Sequence, residues 1–253
     1  MKVKSKVFKF VVSHVIALTA LIAMLVPGTV NAALVSGEAH ISFDNTAFSA
    51  ASGFSVTRFY DASYNTSKIS TIDAAAGTDV VTNLVLPVNS NTSTITYATE
   101  NRTVQATTMD TSDTATGQIG LSGALKINHP LLGGLQPYDF DLEKINGIWN
   151  LVTYSSGFGH NTFLQLTNVN EAFNGVGELT LSGDLIFGNG TNAHANPVGT
   201  WGQFIEGYSQ PIAANTVVGT FNLAPVPVPA AVWLFGTGLL GLLGFTRKSK
   251  SVA

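Results

Sequence analysis

The chain has 253 residues, no cysteine, 45% hydrophobic residues and only 11% charged ones. The missing thiols exclude a disulfide framework, a thiolate metal site and a cysteine nucleophile, so a domain of this length must be held by its own core. Seven of the 12 basic residues sit at the two ends (Lys2, Lys4, Lys6, Lys9, Arg247, Lys248, Lys250), while all 15 acidic residues lie between them. The middle therefore carries a net charge of −10, which opposes nucleic acid and anionic lipid as partners because both need a basic footprint.

Residues 1–32 read as a secretory signal peptide. Four lysines are followed by an apolar stretch from Phe10 to Val26, then by the helix-ending pair Pro27-Gly28. Val30-Asn31-Ala32 has the small-residue pattern of a peptidase site, predicting a cut between Ala32 and Ala33 after Sec export.

Residues 33–224 read as an all-β extracytoplasmic domain, a β-sandwich or jelly roll. Alternating apolar positions and β-branched content predict strands at Glu38–Phe43, Gly53–Tyr60, Asp79–Leu86, Ser93–Thr107, Gly117–Ile127 and Tyr138–Leu142. Further strands are predicted at Ile148–Tyr154, Thr162–Thr167, Gly177–Phe187, Thr200–Ile205 and Thr216–Leu223. Turn signals divide them at Asn146-Gly147, Asn174-Gly175, Gly188-Asn189-Gly190 and Asn196-Pro197. Short helices are possible near Ala74 or Glu171. The segments starting at Gly117 and Gly177 share the pattern Gly-x-apolar-x-Leu-Ser-Gly-x-Leu and read either as equivalent strands of one sandwich or as a chance match of two β-strands. Residues 90–116, rich in Ser and Thr, read as a solvated edge and loop.

The middle holds no nucleophile elbow, phosphate-binding loop, dinucleotide fingerprint or His-Glu-x-x-His motif, and the domain reads as non-enzymatic. His40, His129, His160 and His194 are scattered singly and read as surface or loop residues. The strongest acidic run is Asp139-Phe140-Asp141-Leu142-Glu143. On a strand its three carboxylates share one face about 7 Å apart. They read as a solvated face with Phe140 and Leu142 turned inward, and Asp139, Asp141 and Glu143 as weak candidates for calcium. Asp110 and Asp113 are similar loop candidates. Trp149, Tyr154, Trp201 and Tyr208 could stack on sugar rings or fill the core and its rim.

Residues 225–253 are organised in three parts. Pro225, Pro227 and Pro229 alternate with valines, Ala230 to Phe245 is uncharged, and Thr246-Arg247-Lys248-Ser249-Lys250 follows. A helix over 230–246 just reaches across a hydrocarbon core of about 30 Å, and the basic tail stays cytoplasmic. Residues 33–224 then lie outside the inner membrane. The run from Val226 to Leu242, with Pro-Ala-Ala-Val-Trp-Leu-Phe-Gly at its centre, resembles the PEP-CTERM sorting signal: a Pro-x-Pro motif, an apolar helix and a terminal basic cluster. Here the motif is Pro227-Val228-Pro229, with Val228 where the family name has Glu.

The resemblance implies that the protein is a substrate of an exosortase in a Gram-negative bacterium. It implies processing near Pro227–Pro229 and delivery to the cell surface or extracellular matrix, where biofilm and exopolysaccharide are the setting. In that setting the domain reads as a structural or adhesive component, with carbohydrate binding as one role. The alternatives are a secreted polysaccharide-acting hydrolase and a plain single-pass membrane-anchored periplasmic protein.

Overall fold

Asn146-Gly147 is a two-residue turn with φ of 48° and 87°, and Ile145 and Ile148 pair directly across it. Two positive φ values match the twist of antiparallel strands, which is why Asn-Gly marks this hairpin in the sequence. The hairpin belongs to a computed structural model that describes residues 34–60, 78–79, 84–90, 93–97, 100–155, 159–173, 178–195 and 199–225. The signal peptide with Ala32 and Ala33, the motif Pro227-Val228-Pro229, the helix 230–246 and the tail Arg247, Lys248 and Lys250 lie outside the described residues. Among the described residues, no helix is long and apolar enough to cross a membrane.

In chain order the elements are β1 (Glu38–Phe43), α1 (Asn45–Ser52), β2 (Ser55–Tyr60), β3 (Thr78–Asp79), β4 (Leu84–Pro87), β5 (Ser93–Tyr97) and β6 (Glu100–Val104). They continue as β7 (Gln118–Gly120), β8 (Ala124–His129), β9 (Gly133–Leu135), β10 (Phe140–Ile145), β11 (Ile148–Ser155) and β12 (Gly159–Phe173). The last are β13 (Leu179–Ile186), α2 (Trp201–Tyr208) and β14 (Gly219–Ala224). An eight-stranded curled antiparallel sheet runs β4-β1-β14-β13-β12-β11-β10-β7. A four-stranded sheet runs β3-β2-β8-β9, and β5-β6 is a separate hairpin. One buried cluster draws Phe140, Leu151, Leu164, Leu181 and Phe221 from the large sheet and Val56, Phe59, Leu125 and Ile127 from the smaller one.

Three sequence expectations are corrected here. Thr200–Ile205 is not a strand. Thr200 caps α2, with a reciprocal capping box to Gln203, and the buried Trp201 and Ile205 are one helical turn apart. The pattern Thr-x-x-Gln was present in the sequence. Glu171 lies in β12; a helix does form in the stretch between the first two predicted strands, which had no assignment: α1, capped by Asp44 and ended by Gly53 at φ 77°. The Gly117 and Gly177 segments are not equivalent. The second is the single strand β13, whereas the first breaks at Gly123 (φ 155°) into β7 and β8, which join different sheets.

Two features of the large sheet position the site. Asp141 pairs with Val152, and Glu143 with Asn150. Val152 pairs with Thr162 and Asn150 with Gln165, the register slipping by one residue at Phe163. This bulge lets Phe163 and Leu164 both be buried. It also brings Thr162 and Gln165, three residues apart, onto the same face, where both hydrogen-bond the Asn150 side chain. The opposite face of these strands is core: Phe163 contacts Phe140, Phe48 and Trp201. The Trp201 indole N–H donates to the buried Thr153 hydroxyl at 2.6 Å.

The second feature is where the chain begins and ends. β1 and β14 are adjacent, with Glu38 opposite Ala224. A side chain at Gly37 would collide with the Ala224 carbonyl, so the first and last described segments pass in contact. The Glu143–Asn150–Gln165–Ile186 row lies one row beyond Leu185–Gly219–Phe43, at the other end of the strands.

Candidate metal centre

Residues 188–195, which follow β13, cross the polar face of β10–β12 and carry His194. The crossing is held from beneath. Asn150 and Gln165 donate side-chain N–H groups to the Asn192 carbonyl, and Gln165 also reaches the Thr191 carbonyl. Thr162 exchanges two bonds with His194: its backbone N–H donates to the His194 carbonyl, and its hydroxyl accepts from the His194 N–H. Asn146, at the hairpin tip, adds a bond to the Asn192 side chain. Asn150 and Thr162 are fully buried and Gln165 nearly so; their polar atoms serve as the mount for this loop.

The loop sets His194 beside His160 from β12, with ring centroids 4.0 Å apart, and both meet the acids of β10. His194 Nε2 lies 2.5 Å from Glu143 Oε2. His160 Nε2 lies 3.4 Å from Glu143 Oε1 and 3.6 Å from Asp141 Oδ2. One ligand atom each from Glu143, His160 and His194 lies within 4.8 Å of the others. The site opens to solvent on the histidine side: His194 and His160 side chains are 36% and 26% exposed, Glu143 16% and Asp141 0%.

Asp141 is the anomaly. Both of its carboxylate oxygens are buried without a hydrogen bond, and 3.6 Å from His160 is too long for one. Burial pushes its pKa up to about 6, with the neighbouring His160 pulling the other way. Burial would also raise Glu143, but its bonds with His160 and His194 outweigh that and hold it down to about 2. Burial would lower His160, yet Asp141 and Glu143 raise it to about 9. Glu143 and His160 thus stabilise one another's charged forms, while the charge of Asp141 is disfavoured by its burial.

The expected acidic run is only partly as the sequence suggests. Phe140 and Leu142 do face the core, but Asp141 does not face water; it is fully buried. Asp139 precedes β10 with φ 50°, which breaks the alternation, and it stands outside the ligand group. Asp110 and Asp113 turn their oxygens to their own loop, accepting from Ser112 and from Ala115 and Thr116. Trp149 and Trp201 are 1% exposed and offer no face to a sugar; the side chains of Tyr154 and Tyr208 lie outside the described residues. His40 pairs with Glu38 on the surface. His129 accepts the Leu131 and Leu132 N–H groups. The sequence reading missed His160 and His194 as a pair, since 34 positions separate them and only the strand register and the loop join them. No protein-family model, curated protein or solved structure matches this chain.

Proposed function

We propose that this protein is an exported, surface-displayed β-domain that binds one divalent transition-metal ion at Glu143, His160 and His194. The observation that carries the reading is the convergence of those three ligand atoms beside a fully buried carboxylate that has no hydrogen-bond donor. Imidazole and carboxylate donors suit zinc and its neighbours. Calcium, the ion first suggested by the acidic run, takes six to eight oxygens and is a poor match for two imidazoles. Neutral imidazole is the form that ligates, so an entering ion must displace the proton that Asp141 and Glu143 favour on His160.

The domain that carries the site packs as a β-sandwich of jelly-roll type, a reading supported by the single core shared between the two larger sheets. Its role is structural or adhesive at the cell surface or in an exopolysaccharide matrix, without catalysis. A polysaccharide hydrolase would need two carboxylates facing each other across a cleft; Asp141 and Glu143 are instead two residues apart on one strand, and Asp141 is closed to solvent. Export by Sec and sorting by an exosortase rest on the two ends of the sequence.

The test is metal content and affinity. The purified full chain should bind zinc at one equivalent, and His160→Ala should abolish it. Binding unchanged in His160→Ala would overturn the site. For sorting, the surface-extracted protein should end near Pro227–Ala230; an intact Ala253 in a strain with active exosortase would leave the plain anchor.

A further inference from the structure

From the burial of Asp141 we infer that its carboxylate is the fourth donor, making the centre a closed two-histidine, two-carboxylate site in which the ion staples residues 188–195 to β10 and β12. This inference rests on the metal reading above and adds the coordination number and the role.

Three observations support it. First, a buried carboxylate is costly unless it is closely paired or coordinates a metal, and the one ion-pair partner Asp141 has among the described residues is His160 at 3.6 Å. Asp141 has no hydrogen-bond donor on either oxygen, although Gly120 and Val152 flank it in the sheet and the surrounding polar residues, Asn150, Thr162 and Gln165, are engaged with one another and with the loop. Second, donor atoms around a tetrahedral zinc ion, at about 2.0–2.1 Å from it, stand roughly 3.3 Å apart. The His160–Glu143 and His160–Asp141 separations of 3.4 and 3.6 Å match that edge; the His194–Glu143 contact of 2.5 Å must lengthen, and Asp141, which stands outside the trio of ligand atoms within 4.8 Å of one another, must draw in toward Glu143 and His194 when the ion enters. Third, the donors come from three chain segments: Asp141 and Glu143 from β10, His160 from β12, and His194 from the loop. An ion held by all four ties the loop to the sheet, and metal–ligand bonds of this kind contribute directly to folding.

A three-donor site would instead leave a position for water or an outside ligand, as catalytic zinc sites do. The two arrangements separate spectroscopically. Cobalt(II) added to the purified full chain should give the intense visible bands of tetrahedral coordination, and azide should leave them unchanged. In Asp141→Asn the bands should weaken and become azide-sensitive, and zinc affinity should fall by more than the 10–100-fold expected for loss of a merely supporting residue. Azide-sensitive bands in the unaltered protein would overturn the fourth donor while leaving the metal site standing, and that reading needs no variant to fold. An unaltered cobalt spectrum in a folded Asp141→Asn would overturn it equally. Failure of the unaltered chain to bind cobalt or zinc would instead remove the metal site, and this inference with it.

Discussion

Two acidic side chains on the large sheet are treated in opposite ways. Glu171, on β12, accepts from the Thr114 hydroxyl at 2.7 Å, the Lys144 ammonium at 2.7 Å and the Trp149 indole N–H at 3.0 Å. Lys144 also lies over the Trp149 ring. Asp141, on β10, is more deeply buried and accepts from nothing. The pKa directions follow. Burial of Glu171 is outweighed by Lys144, Thr114 and Trp149, and its pKa is lowered; burial of Asp141 prevails, and its pKa is raised. A complete hydrogen-bond shell marks a carboxylate that serves the fold. A buried one without donors, beside an imidazole 3.6 Å away, is the observation on which the proposed metal site rests.

The comparison breaks most directly on zinc. Excess zinc should stabilise the metal-free protein; at 100 times the dissociation constant the gain is about 2.7 kcal/mol, or roughly 5–10 °C in Tm for a domain of this size. Chelation should reverse it. His160→Ala and His194→Ala should abolish the shift. Glu171→Ala should leave it intact, because Glu171 is no ligand. A zinc shift that survives both histidine variants but disappears in Glu171→Ala would exchange the two roles.

Glu171→Ala has the next largest effect, and it should appear with or without zinc. Removing the acceptor leaves the Trp149 N–H, itself 1% exposed, and the Thr114 hydroxyl without their partner. Each unsatisfied group costs about 1–3 kcal/mol, so Tm should fall by several degrees. The pH dependence has a definite sign. Because the folded pKa of Glu171 lies below its ordinary 4.5, its contribution is complete above that value and is lost as pH falls through the lowered pKa. The stability gap between Glu171→Ala and the unaltered protein should therefore narrow in acid. A gap independent of pH between 7 and 3 would mean that the charge of Glu171 contributes nothing.

The sequence revealed what depends on near neighbours. β1 is bounded at Glu38 and Phe43 as alternation predicts, and Asn146-Gly147 marks its hairpin because the turn chemistry is local. α2 was hidden because Trp201, Phe204 and Ile205 satisfy a loose strand pattern, even though Thr200 and Gln203 carried a helix-start signal. The site was half legible. Asp141 and Glu143 stand out as an alternating pair on β10, but their depth depends on β7, β11 and the loop above them. His194 had no signal at all. Its position follows from Thr162, Asn150 and Gln165 gripping the backbone of residues 191–194, and that grip exists only because the slip at Phe163 puts Thr162 and Gln165 on one face.

The smallest expected effect is also the most discriminating. In the metal-free protein, Asp141→Asn keeps the shape of the side chain and removes a charge that burial disfavours. Loss of the attraction to protonated His160 opposes that gain, but the raised pKa of Asp141 says that burial outweighs it. A group whose folded pKa stands at about 6 against an ordinary 3.8 weakens the fold wherever it is ionised. That cost is full above about 6 and vanishes below the ordinary value. Asp141→Asn should therefore be neutral or stabilising, by about 1 kcal/mol, in metal-free protein at pH 7, and the difference should close as pH falls toward 4. With zinc bound the order should reverse, since the variant has lost a ligand. Denaturant unfolding of both proteins at pH 7 and pH 4, with and without zinc, measures all of this. If Asp141→Asn instead destabilises the metal-free protein at pH 7 as much as Glu171→Ala does, Asp141 belongs with Glu171 as a carboxylate of the fold, and the contrast between them fails.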